Sequence, residues 1–148
     1  MHQQILRIID ANVNRISEGL RVLEDVARFI VEDVELSRLL KTIRHQLNSS
    51  VEEIGLHVIG TRDAEGDVGA NFDVIHDHRD LSSIIRANAK RAQEGIRVLE
   101  ELSKLPELKT LLSTPVLKEA RYKIYALEKI LVTRLPGQQA ANKSADQA

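Results

Sequence analysis

Cysteine and tryptophan are both absent from this chain. Without cysteine there is neither a disulfide framework nor a thiolate zinc site, which suits a reducing, cytoplasmic setting. Aromatic residues make up only 3% of the sequence, so Leu, Ile, Val and Ala must fill the core. That favours helix packing over an aromatic-rich β-sandwich. Charge of either sign is not in excess: 21 Lys and Arg stand against 22 Asp and Glu, for a net charge of -1. No basic surplus advertises a nucleic-acid partner. No apolar run approaches the roughly 20 residues that span a bilayer. The segment Met1-His2-Gln3-Gln4 lacks the basic stretch and apolar core of a signal peptide. Nucleotide-binding signatures are missing too: there is no GxxxxGK[ST] and no GxGxxG after a strand. No Ser–His–Asp arrangement can be defended. What remains, at 148 residues, is room for one domain with a real core or two very small ones.

An internal duplication is present. Ile8-Ile9-Asp10-Ala11-Asn12-Val13-Asn14-Arg15 returns as Ile84-Ile85-Arg86-Ala87-Asn88-Ala89-Lys90-Arg91. Glu18-Gly19-Leu20-Arg21-Val22-Leu23-Glu24 returns as Glu94-Gly95-Ile96-Arg97-Val98-Leu99-Glu100. Eleven of the 22 positions from Ile8 to Phe29 are identical to their counterparts at a constant offset of 76. At shifted offsets, Lys41 and Arg44 match Lys118 and Arg121.

Each copy reads as two helices. Leu36, Leu39, Leu40, Ile43, Leu47, Val51 and Ile54 recur at helical spacing, as do Leu117, Ala120, Ile124, Leu127 and Leu131. Asp33 and Asp80 are expected N-caps, and Thr114-Pro115 a helix start. The spacing predicts helices near 3–31, 35–55, 81–104 and 116–134, with a short helical turn at 107–112. The expected fold is all-α: two tandem helical hairpins forming a four-helix, bundle-like domain over 1–135. Repeat one covers 5–55, an inter-repeat loop 56–79, and repeat two 81–134. The tail 136–148 has no periodicity and reads as a disordered end or linker.

Some residues break the helical logic. On a wheel, Ile8, Leu23, Val26 and Ile30 share an arc with Asn12 at its middle and Arg15 and Gly19 close by. Asn88, Arg91 and Gly95 repeat the pattern. Glycine in a helix interior costs about 1 kcal/mol relative to Ala, so Gly19 and Gly95 imply a close helix crossing or room for a ligand. Asn12 and Asn88 fit either a buried amide pair fixing register or a grip on a heterocycle. Arg15 with Glu18, and Arg91 with Glu94, are i, i+3 pairs that fit surface decoration or a phosphate grip. Arg44 and Arg121 are further phosphate ligands or struts. Arg21, Arg97, Glu24 and Glu100 read as surface pairs, and Tyr125 and Glu128 as packing and capping.

The loop centre, Arg62-Asp63-Ala64-Glu65-Gly66-Asp67-Val68-Gly69, is the most chemical-looking segment. Arg62 can meet phosphate, Asp63 and Asp67 can hold Mg²⁺, and Gly66 and Gly69 permit close backbone approach. A polar turn with Asx-type hydrogen bonds is the structural alternative. His76-Asp77-His78 is a weak metal candidate.

Residues 7–15 and 18–25, the loop string Arg62-Asp63 with Gly66-Asp67-Val68-Gly69, and Ala87-Asn88-Ala89-Lys90-Arg91 together resemble one bacterial family. It is the alternative, all-helical type of hydroxymethylpyrimidine phosphate kinase, often the N-terminal domain of a protein fused to thiamine-phosphate synthase. The resemblance runs from about residue 5 to 134. It implies transfer of a phosphoryl group from ATP, with Mg²⁺, to 4-amino-5-hydroxymethyl-2-methylpyrimidine phosphate in thiamine biosynthesis. It would place phosphates on Arg15, Arg62 and Arg91. Asp63 and Asp67, with Glu18 or Glu94, would hold Mg²⁺, and Asn12 or Asn88 would read the aminopyrimidine. No synthase segment follows, so the chain reads as a stand-alone kinase or a domain excised at its linker. Two rival readings stand beside the kinase. One is a non-catalytic helical module that docks on, or regulates, thiamine-phosphate synthase; the other is a pyrimidine phosphatase. Neither a nucleic acid nor a membrane is expected as a partner, and oligomeric state is not legible.

Overall fold

The computed structural model describes residues 2–52, 54, 65–69 and 80–137. Among them the chain is all-α. Its elements are α1 (Gln3–Phe29), α2 (Val34–Ser50), α3 (Leu81–Leu102), a 3-10 turn (Pro106–Leu108) and α4 (Thr114–Arg134). No described helix is long and apolar enough to cross a membrane.

The helix starts follow their caps. The Asp33 carboxylate accepts from the Leu36 N–H at 2.9 Å, and Asp80 accepts from the Ser83 N–H at 2.7 Å. α4 begins behind Ser113 with Pro115 in its first turn, where a missing N–H costs nothing. Two ends fall short of the sequence expectation. α1 stops at Phe29 rather than near 31 because Glu32 turns left-handed, at φ 54°, while the Val31 N–H reaches back to the Val26 carbonyl. α2 breaks at Val51 instead of running on to 55, although Glu52 and Ile54 are helical again. Asn48, Ser49 and Ser50 are poor helix formers, and the Ser50 hydroxyl donates to the Leu47 carbonyl at 2.8 Å.

The core is built as the composition requires, from aliphatic side chains. Ile9, Leu20, Leu23, Leu40, Ile85, Ile96, Leu99, Leu117, Ile124 and Leu131 are almost fully enclosed. The buried stripe of α1 is Leu6, Ile9, Asn12, Ile16, Gly19, Leu20, Leu23, Glu24, Val26 and Ala27. This stripe is rotated from the expected arc: Ile8 and Ile30 are exposed, and Arg15 points to solvent. Leu39 likewise leaves the expected α2 stripe and is exposed.

α1 packs on α3 at the centre, with α2 against α1 and α4 against α3. The central crossing is reciprocal and antiparallel. A Cβ on Gly19 would sit 2.7 Å from the Asn88 carbonyl oxygen. A Cβ on Gly95 would sit 2.8 Å from Cγ1 of Ile16 and 3.2 Å from the Asn12 carbonyl oxygen. Both glycines therefore serve close backbone approach, and no space for a ligand remains beside either.

Candidate functional site

Glu24 and Glu100, expected at the surface, are buried at 5% and 2% exposure. Burial of a carboxylate demands a partner. Each finds one on the neighbouring helix of its hairpin. Arg44 Nε donates to Glu24 at 3.0 Å, and Arg121 holds Glu100 in a bidentate grip at 2.5 and 3.2 Å. Glu100 also takes Arg97 at 3.1 Å, whereas Arg21 stays 3.8 Å from Glu24. The Glu100 hydrogen bond holds the Arg121 guanidinium well above its ordinary pKa, with the Tyr125 side chain adding to it. Arg121 is therefore a fixed cation, and its guanidinium also lies 5.1 Å from the Tyr122 ring centroid.

Arg121 is one wall of a cleft between α3 and α4, of about 640 Å³. From α3 come Ser83, Arg86, Lys90, Gln93, Glu94 and Arg97; from α4 come Arg121, Tyr125 and Glu128. Their spacing along α3 keeps them on one face. Gln93 Nε2 donates to Glu128 at 2.8 Å and bridges the two helices at the cleft floor. Two members were expected as site residues, Glu94 and Arg121. Arg86, Lys90 and Gln93 were not singled out, and Tyr125 and Glu128, expected to pack and cap, line the cleft instead.

The other candidates are dispersed. The i, i+3 pairings expected for Arg15–Glu18 and Arg91–Glu94 are replaced. Arg91 reaches across to Glu18 at 3.9 Å, and Glu94 meets Lys90 at 3.7 Å. These carboxylates are well exposed, so both pairs are weak. Asn12 and Asn88 do not pair with each other. Each turns its NH₂ back to its own helix, to the Ile8 carbonyl at 2.8 Å and the Ile84 carbonyl at 2.9 Å. Arg44 stays with Glu24 on the first hairpin. Gly66, Asp67 and Gly69 form an exposed turn in which the Asp67 carboxylate accepts from the Gly69 N–H at 2.9 Å. That is the Asx-type geometry. Arg62, Asp63 and His76 to His78 lie outside the described residues. Among the described residues no group of three or more His, Asp or Glu side chains could hold a metal ion.

Three comparisons bear on what this arrangement serves. The model of the ThiD2 family matches residues 7–130. A thiamine-phosphate synthase of Rhodopirellula baltica is 37% identical over 147 residues, covering 97% of this chain and 38% of that protein. A thiamine-phosphate synthase of Synechocystis is 35% identical over 130 residues, covering 84% of this chain and 35% of that protein. Another, of Thermosynechococcus vestitus, is 35% identical over 129 residues. The chain thus spans a little over a third of the length of the curated relatives it matches. No solved structure matches. These names overturn the kinase assignment that the resemblance implied. The relatives are named for thiamine-phosphate synthesis, a different activity from phosphorylation of a pyrimidine phosphate.

Proposed function

The chain belongs to the ThiD2 family, and from that premise we propose that it is a non-catalytic helical module that docks on, or regulates, a thiamine-phosphate synthase in thiamine biosynthesis. One observation carries the reading: nearly the whole chain, 97% of it, matches only 38% of a protein named thiamine-phosphate synthase. An all-α unit with its own core that matches one part of a longer protein is the form a docking module takes.

The reading has a surface to use. At the α1–α2 corner Phe29 and Val34 are 64% and 67% exposed, with Ile30 between them at 39%. The Arg28 guanidinium lies over the Phe29 ring, 4.8 Å from its centroid. Phe and Arg are enriched at protein interfaces, and Ile30 and Val34 add apolar area beside them. Arg134, at the end of α4, pairs with Asp33 at the same corner. The test is kinetic. A stand-alone thiamine-phosphate synthase is assayed with and without this chain, and with a Phe29→Ser/Val34→Ser variant. The reading expects the wild-type chain to change the synthase's KM or turnover saturably, and the variant to need about tenfold more protein. Synthase kinetics indifferent to a folded chain at all concentrations would reject a regulatory role.

A further inference from the structure

The two copies of the repeat differ in bulk where they meet. At the constant offset of 76, Val13 answers to Ala89 and Ile16 to Ala92, while Ile9 and Leu20 answer to Ile85 and Ile96 of similar size. Ile16, Ala89 and Ala92 are buried, and Val13 packs against the core. Both differences run one way, with the larger side chain on α1 and the smaller on α3. The crossing records them. Ile16 lies over Gly95, with Cγ1 2.8 Å from where a Cβ would stand, and the Asn12 carbonyl oxygen is 3.2 Å from that point. At the related position Gly19 faces Ala92, whose Cβ is 3.6 Å from the corresponding point, and there the Asn88 carbonyl oxygen comes to 2.7 Å. The backbones approach more closely where alanine faces glycine and stand off where isoleucine does.

A pair of like hairpins loses this fit. Two first hairpins would set Ile16 over Gly19 at both ends of the crossing; two second hairpins would set Ala92 over Gly95 at both. Against the native crossing the first pairing is overpacked and the second leaves a void, and packed interiors resist both. The unlike pairing is also the largest contact between the hairpins, since α2 and α4 barely touch. Residues 51–80 join α2 to α3. A stretch of that length, at up to about 3.3 Å per residue, reaches the opposite hairpin of its own chain or of a neighbour. We propose that the α1–α3 crossing is a mutually specific pair of unlike surfaces, so that a second copy of this chain is engaged by exchange of hairpins and not by pairing of like with like. An exchanged dimer rebuilds two native crossings. The partner within the chain acts at an effective concentration of about a millimolar, so exchange is populated when the chain refolds near that concentration. The inference goes beyond the docking reading and stands whether or not the chain binds a synthase.

Refolding from urea tests it on the full chain, with chains counted by native mass spectrometry. Wild type refolded at about a millimolar should give a dimer that persists on dilution, and at about a micromolar a monomer. Ile16→Ala and Ala92→Ile each spoil the crossing within one chain. In a mixed dimer of the two, one crossing is native and the other carries both changes, so large faces small again with the helices reversed. Refolded together, the two variants should form the mixed dimer in about tenfold or greater excess over either self-dimer. The double variant Ile16→Ala/Ala92→Ile, as a monomer, should melt above both single variants, which keeps the test open where a single variant fails to fold. Three results would each overturn the proposal: wild type monomeric after refolding at every concentration, a mixed dimer no more abundant than the self-dimers, or a double variant that melts no higher than the single ones.

Discussion

Glu24 and Glu100 are homologous positions with unequal duties. Glu100 satisfies two guanidiniums, with Arg121 bidentate, while Glu24 firmly satisfies one. Removing a buried partner leaves an uncompensated charge, at a cost of about 3 kcal/mol where burial is deep and less where water reaches the arginine. Arg44 and Arg121 keep 15% and 14% of their exposure. Glu100→Ala should therefore destabilise by about 2 kcal/mol, and Glu24→Ala by about half that. Urea unfolding of the two variants should show this order; equal losses would mean the second guanidinium contributes nothing. Neither carboxylate was legible as buried, because its partner lies 20 or 21 residues away and helical periodicity carries no record of so distant a pair. The cleft was half-hidden for a different reason. Attention to residues that both copies keep finds Glu94 and Arg121, whereas Arg86 and Lys90 stand out only where the copies differ.

At the scale of elements, the crossing of α1 and α3 is set by two glycines of unequal tolerance. A methyl on Gly19 meets a backbone carbonyl that cannot move without its helix. A methyl on Gly95 meets Cγ1 of the buried Ile16 at 2.8 Å and the Asn12 carbonyl oxygen only at 3.2 Å, so its closest contact is with a side chain and not with backbone. Gly19→Ala should cost about 1–3 kcal/mol despite its better helix propensity, and Gly95→Ala less. Thermal melts by circular dichroism give the ranking. The cap of α3 adds a pH dependence. The Ser83 backbone N–H, then the Ser83 hydroxyl, hold the Asp80 carboxyl below its ordinary value. A folded-state pKa below the unfolded one means that the stability from this cap is present above the ordinary carboxylate value. It is lost as pH falls through the folded value. Asp80→Asn should lower the melting temperature at neutral pH and flatten the acid limb; an unchanged acid limb would assign the loss to other groups. Helix identity was legible throughout, since caps and aliphatic spacing are local. The face of α1 was less so. Its buried stripe runs through Asn12 and Gly19 and leaves Ile8 outside, and only the partner helix decides between two overlapping arcs.

For the whole molecule, family and fold agree, and the activity first implied by the resemblance does not survive the relatives' names. The chain spans a little over a third of the length of relatives named thiamine-phosphate synthase, and the docking proposal rests on that. On the docking proposal, the exposed corner of Phe29, Ile30 and Val34 is the contact. Sedimentation velocity of this chain mixed with a stand-alone thiamine-phosphate synthase tests the docking claim most directly. The account predicts one faster boundary containing both proteins, which Phe29→Ser/Val34→Ser resolves into two. Independent sedimentation of the wild-type chain and the synthase at micromolar concentration would contradict it.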